Sequence, residues 1–123
     1  MITGFVNARL DATIRLSVSG PSGQALEVEA IIDTGFSGFL TLPSSTIASL
    51  GLPWLCRLPG VLADGNIDLF DVYAATLIWD GQPRIVEVEA ANCEPLLGMS
   101  LLHRHRLQVD VVRQGLVKVE TLP

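Results

Sequence analysis

Leu26-Glu27-Val28-Glu29-Ala30 alternates apolar and acidic residues, the period of a strand with one face in the core and one in water. At Ile31-Ile32 the alternation stops and both faces become apolar. Asp33-Thr34-Gly35-Phe36-Ser37-Gly38 follows, in which glycines permit a sharp turn and close backbone approach. The pattern predicts a buried strand that delivers one carboxylate, Asp33, into a tight turn. Phe39-Leu40-Thr41-Leu42-Pro43 then reads as a second strand.

Elsewhere the chain reads as short elements joined by turns. Phe5 to Val18 holds a strand whose later part alternates, and the turn Ser19-Gly20-Pro21-Ser22-Gly23 folds it against the strand leading to Asp33. Ser44 to Pro53 predicts a short helix, with hydroxyl residues for its N-cap and with Gly51 and Pro53 to stop it. Trp54-Leu55-Cys56 is expected to continue that apolar packing. Asp64-Gly65 and Asp80-Gly81 sit between strand-like runs and predict hairpins, because such turns need the positive φ that glycine supplies without strain. Glu94-Pro95-Leu96-Leu97-Gly98-Met99-Ser100 repeats the opening logic of an aliphatic pair running into a glycine turn, without an acid. Ser100 is expected to cap a helix from Leu101 to Arg106, and Leu107 to Val112 with Leu116 to Glu120 a closing hairpin.

Composition narrows this to a mostly β domain spanning 1–123. The chain has 123 residues, is 49% hydrophobic, and spreads 11 glycines and 7 prolines along its length rather than clustering them. A net charge of −5 argues against a nucleic-acid partner, which needs a basic surface. The one basic cluster, His103-Arg104-His105-Arg106, reads as the solvated end of a short helix, with a phosphate or RNA contact as the alternative. Its histidines are two apart and would not share a helix face, so no metal site is expected. Cys56 and Cys93 make neither a metal-binding pair nor a disulfide framework. The reading expects no signal peptide, no membrane span and a cytoplasmic setting.

Asp33 then stands out, since a carboxylate at the end of an apolar strand is costly unless something uses or pairs it. The bland alternative is an ordinary Asp-Thr-Gly turn. Ile31-Ile32-Asp33-Thr34-Gly35, the helix after it, the Ala63-Asp64-Gly65 hairpin and Leu96-Leu97-Gly98 before a short helix together resemble the retropepsin-like aspartic proteases, in element order from about Leu10 to Glu120. The resemblance implies a small closed β-barrel with one or two short helices, and an aspartic endopeptidase active as a homodimer on peptide or protein substrates without a cofactor. Asp33 would be catalytic, Thr34 would bind across the dimer, and Gly35 would offer its backbone to substrate. Ala63, Asp64 and Gly65 would form a flap closing over the peptide, and the terminal strands would pair between subunits.

Independently of the resemblance, aspartic catalysis needs two carboxylates close enough to share a proton, and this chain has one motif aspartate. A two-fold axis must supply the other. Phe36 departs from the small residue usual after the triplet in viral members, and is read as packing beneath the loop rather than narrowing a pocket. The competing functional reading is a catalytically silent peptide-binding or assembly module on the same fold.

Overall fold

The computed structural model describes residues 1–123, and the alternating segments become ten strands and two short helices. In chain order these are β1 (Ile2–Val6), β2 (Ala12–Ser19), β3 (Ala25–Ile32), β4 (Leu40–Leu42), α1 (Ser44–Leu50), β5 (Trp54–Val61), β6 (Ile67–Trp79), β7 (Gln82–Ala90), β8 (Leu96–Leu97), α2 (Met99–Leu102), β9 (His105–Val109) and β10 (Leu116–Thr121). The hydrogen-bonded order is β5-β6-β7-β4-β8-β3-β2-β1-β10-β9, and β2 also pairs with β6 through Val18↔Leu77. The order therefore returns on itself through β6, β7, β4, β8, β3 and β2.

Alternation decides which side chains fill the inside of this ring. Ile14, Leu16 and Val18 of β2 face inward with Val28 and Ala30 of β3, Leu40 and Leu42 of β4, Ala75, Leu77 and Trp79 of β6, and Val86 and Val88 of β7. Burying each larger aliphatic contributes about 1.5–3 kcal/mol. Helix α1 adds Ile47 and Leu50 to the same core, and α2 adds Leu101 and Leu102.

The hairpins form where the glycine turns put them, at Ser19–Gly23, Asp64-Gly65 and Asp80-Gly81. A single long β6 serves both of the later ones. Gly51 takes φ 61° and closes α1, as its position predicts. The N-terminal side differs: Pro43 occupies the N-cap and no hydroxyl side chain caps the helix. Trp54 and Leu55 do not continue the core but lie exposed on β5.

The helix expected from Leu101 to Arg106 stops at Leu102. Arg104 takes φ 68°, which breaks the helix, and residues 105–109 form a strand instead. His105, Leu107 and Val109 are half-buried while Arg106 and Gln108 are exposed, so this segment has the period of two rather than 3.6. The basic cluster is therefore the entry into a strand. Trp79 anchors that entry by donating its indole N–H to His105 Nε2 at 3.2 Å.

β1, which the sequence pattern did not announce, pairs with β10 over Ile2↔Val119 to Phe5↔Leu116. The terminal strands thus pair with each other inside one chain. No helix is long and apolar enough to cross a membrane.

Candidate active site

Asp33 is the first residue after β3, and four backbone constraints hold it. Ile31 N–H donates to Pro95 O and Asp33 N–H to Leu97 O, both at 2.9 Å, so β8 stitches the end of β3 on one side. The chain then turns, with Phe36 N–H donating to Asp33 O at 3.1 Å. It returns as β4 on the other side of β8, where Leu40 faces Leu97 and Gly98 N–H donates to Phe39 O at 2.9 Å. β8 is thus held between the two arms of the Asp33 turn.

The floor of the turn comes from α2. Met99 N–H donates to Phe36 O at 2.8 Å, Ser100 N–H to Gly38 O at 3.1 Å, and the Ser100 hydroxyl to Ser37 O. Phe36 is half-buried, with its ring over Gly38 and Gly98, so it packs beneath the loop as expected. Gly98 has an extended backbone that any residue tolerates, but a Cβ there would strike the Gly38 carbonyl oxygen and come within 2.6 Å of the Phe36 ring. Glycine is required for proximity, not for its φ.

With the backbone so held, the Asp33 carboxylate is half-buried, and its Oδ1 accepts the Gly35 N–H at 2.9 Å. A charged acceptor of this kind strengthens the bond and orients the carboxylate. Gly35 and Thr34 are exposed, and the Thr34 hydroxyl makes no hydrogen bond within the chain.

Ala63, Asp64 and Gly65 form the exposed tip of the β5–β6 hairpin. Gly65 takes φ 87°, while Asp64 Oδ1 accepts the Asn66 N–H and Oδ2 the Asn66 side-chain amide, each at 2.9 Å. Asp64 is therefore occupied in shaping the turn. No hydrogen bond links the tip to the Asp33 loop, so the structure assembles Asp33, Thr34 and Gly35 in one turn and keeps 63–65 on a separate arm. That arm exposes Val61, Leu62, Ile67 and Leu69. At its base, Trp54 Nε1 and Arg57 Nε both donate to Asp71 Oδ1, holding that carboxyl below the usual range, with the Trp54 bond the larger cause.

Three supporting contacts were not visible in the sequence. Thr41, buried in β4, accepts the Leu96 N–H on its hydroxyl at 2.9 Å, and a lone hydroxyl in an apolar strand is the one signal that pointed to it. Ser100 braces Ser37 rather than capping its own helix. Arg9 grips Glu94 with two bonds of 2.8 and 2.7 Å, tying the β1–β2 turn to the segment leading into β8, and this raises the Arg9 pKa. Nothing in local pattern links residues so far apart.

No protein-family model matches the chain, and no curated protein matches it. Among solved structures, the crystal structure of a retropepsin-like aspartic protease from Rickettsia conorii aligns with 97% of this chain and 91% of that one, at a TM-score of 0.56 and 18% identity. The fold is retropepsin-like. Within this retropepsin-like fold, the β3–turn–β4 element around β8 carries the acid, whereas the later glycine turn at Gly98 carries none and serves as packing for the first.

Proposed function

We propose that this chain is an aspartic endopeptidase active as a homodimer, in which Asp33 from each subunit shares a proton and activates water against a peptide carbonyl. The observation that carries this reading is the Asp33 turn. Its carboxylate is half-buried and oriented by the Gly35 N–H, while β8 and α2 immobilise its backbone from both sides. Such pre-positioning is what a group needs in order to act on a bound substrate without reorganising. Thr34 is exposed with its hydroxyl unpartnered, which suits a contact across a two-fold axis. The Ala63-Asp64-Gly65 tip on its apolar arm suits a flap that excludes water, and the returning strand order is read as the small closed barrel of the family.

The test is peptide-library cleavage read by mass spectrometry from acidic to neutral pH, with Asp33→Asn prepared alongside and the dimer content of both checked. Wild type is expected to cleave, and Asp33→Asn to lose at least about a thousandfold in rate while keeping its fold and dimer. Retained cleavage by the variant refutes Asp33 as catalyst. A silent peptide-binding module is the second reading, favoured by the free edge of β5 and its exposed apolar neighbours, which suit strand addition. Tight peptide binding without turnover by a confirmed dimer would select it.

A further inference from the structure

Trp79 ends β6 and is buried, while His105 opens β9 and is half-buried. The Trp79 indole N–H points at His105 Nε2, 3.2 Å away, and the two rings cross at 78° with centroids 5.5 Å apart, so they meet at an edge and are not stacked. An indole nitrogen only donates, so Nε2 must accept and carries no proton. The ring proton of neutral His105 is then on Nδ1, which donates it to His103 O at 2.8 Å. Both ring nitrogens are committed, and only the neutral ring satisfies both commitments. A second proton has only Nε2 to enter, where it would meet the Trp79 N–H head on.

The pair sits where the chain bends hardest. Between Leu102, the last residue of α2, and His105 the chain passes from helix to strand in two residues, and Arg104 takes φ 68° to do so. A non-glycine residue keeps such a conformation only when its surroundings hold it there. Three hydrogen bonds do this: Leu122 N–H to Arg104 O at 2.9 Å, and the two made by the His105 ring. Immediately before the bend, α2 donates the Met99 N–H to Phe36 O and the Ser100 N–H to Gly38 O, which support the Asp33 turn. The junction held by the His105 ring is therefore continuous with the floor of the candidate site.

We propose that Trp79 and His105 form a proton-operated latch on this junction, closed while His105 is neutral and opened when its ring takes a second proton, which loosens α2 beneath the Asp33 turn. The regulatory consequence rests on the protease reading above; the latch itself does not. With donor set against donor, either the indole or the imidazole must move, and turning the imidazole out toward water also gives up the bond from Nδ1 to His103 O. Histidine is the side chain whose ordinary charge change falls between about pH 5 and 8. The charged neighbours are turned elsewhere. Arg106 lies opposite Glu120 and Gln108 opposite Lys118, at alternate positions whose side chains leave on the other face of the sheet from His105, Leu107 and Val109. Glu120 also pairs with Lys118 at 3.5 Å. Thr121, directly across from His105, is uncharged, as are the residues of α2 and Gln82 across from Trp79. Asp80, which follows Trp79, is bound to the Met1 ammonium at 2.6 Å, and the side chains of His103 and Arg104 are exposed.

The experiment is nuclear magnetic resonance of the full chain from about pH 8 to about pH 5, following the Trp79 indole N–H, the His105 ring protons, and exchange of the Met99 and Ser100 amides corrected for the intrinsic effect of pH. Trp54→Phe removes the other indole and so identifies that of Trp79. The indole resonance is expected to shift with the same midpoint as the His105 ring, and exchange at Met99 and Ser100 to rise at least about tenfold across it. In His105→Gln the side-chain amide oxygen accepts the indole N–H but takes no proton, so both signals are expected to stay flat. An indole that does not follow the His105 ring overturns the proposal from the wild-type titration alone, whether or not the variant folds, and so does a transition that survives in His105→Gln. Peptide cleavage on the same samples reads the consequence for the site: wild type is expected to lose activity on the acid side of that midpoint where His105→Gln retains it, and matching acid limbs overturn the link to Asp33. A latch that opens in a chain that cleaves nothing at any pH upholds the latch and removes the protease reading instead.

Discussion

Gly98→Ala tests whether the Asp33 turn is held as tightly as its hydrogen bonds indicate. The added methyl would meet the Gly38 carbonyl oxygen and would lie 2.8 Å from the Phe36 carbonyl oxygen. These are backbone atoms, so no side-chain rotation relieves the clash. Relief requires the 36–38 turn to slide off β8 and α2, stretching Gly98 N–H to Phe39 O, Met99 N–H to Phe36 O and Ser100 N–H to Gly38 O, now 2.9, 2.8 and 3.1 Å. Overpacking of this kind costs about 1–3 kcal/mol, and each weakened bond adds up to about 1 kcal/mol. A total of about 2–4 kcal/mol is expected. For a chain of 123 residues, 1 kcal/mol moves the melting temperature by about 4 °C, so the variant should melt about 8–16 °C lower. Calorimetry reads the shift, and peptide cleavage should fall with it because the displaced turn carries Asp33. A melting temperature within about 2 °C of wild type would refute the reasoning, since the turn and α2 could then separate at no cost.

Glu89 is pushed above the ordinary glutamate range, first by burial on β7 and then by Glu87 beside it. Its folded form holds a proton more tightly than the unfolded chain, so stability falls as pH rises from about 4.5 through the raised value. Glu89→Gln is therefore expected to be more stable than wild type at pH 7 in urea denaturation, with the difference closing below about pH 4; no gain at pH 7 would contradict the assignment. Thr41→Val removes the acceptor of the Leu96 N–H inside the fold. It should cost about 1–3 kcal/mol, largely recovered in Thr41→Ser, and equal stability of the two variants would mean that this hydroxyl is idle.

The Asp33 turn was legible because the signals that announce it are local, although the bonds that hold it come from β8 and α2. A two-residue period gives way to an aliphatic pair, and the glycines mark where the chain must bend. Phe36 was legible for a related reason, as an aromatic flanked by small residues has space beneath it to fill. What escaped was set by partners distant in sequence. β1 contains Gly4, which weakens any strand signal, yet a Cβ there would run into the Thr13 carbonyl oxygen of β2. The residue that obscures the strand is the one that lets it approach its neighbour. At 103–109, Ser100-Leu101-Leu102 supplied a helix signal that the local pattern extended too far, whereas the segment becomes a strand because β10 offers it a ladder. The exposure of Trp54 and Leu55 follows from β5 lying at the outer edge of the sheet, a topological fact that no window of residues contains.

The interleaving of β8 between β3 and β4 also governs when the site can exist. Ser37 in the turn and Ser100 in the helix beneath it, which are hydrogen-bonded, are 63 residues apart in sequence. A growing chain that has released Asp33 and both arms of its turn still lacks the strand they must embrace and the helix beneath them. The carboxylate therefore cannot be fixed until nearly all of the domain has been synthesised and the slow, long-range pairings have formed. Nascent and partly folded chains would carry the acid in a loose turn, and any cleavage activity would arrive late, together with the completed fold.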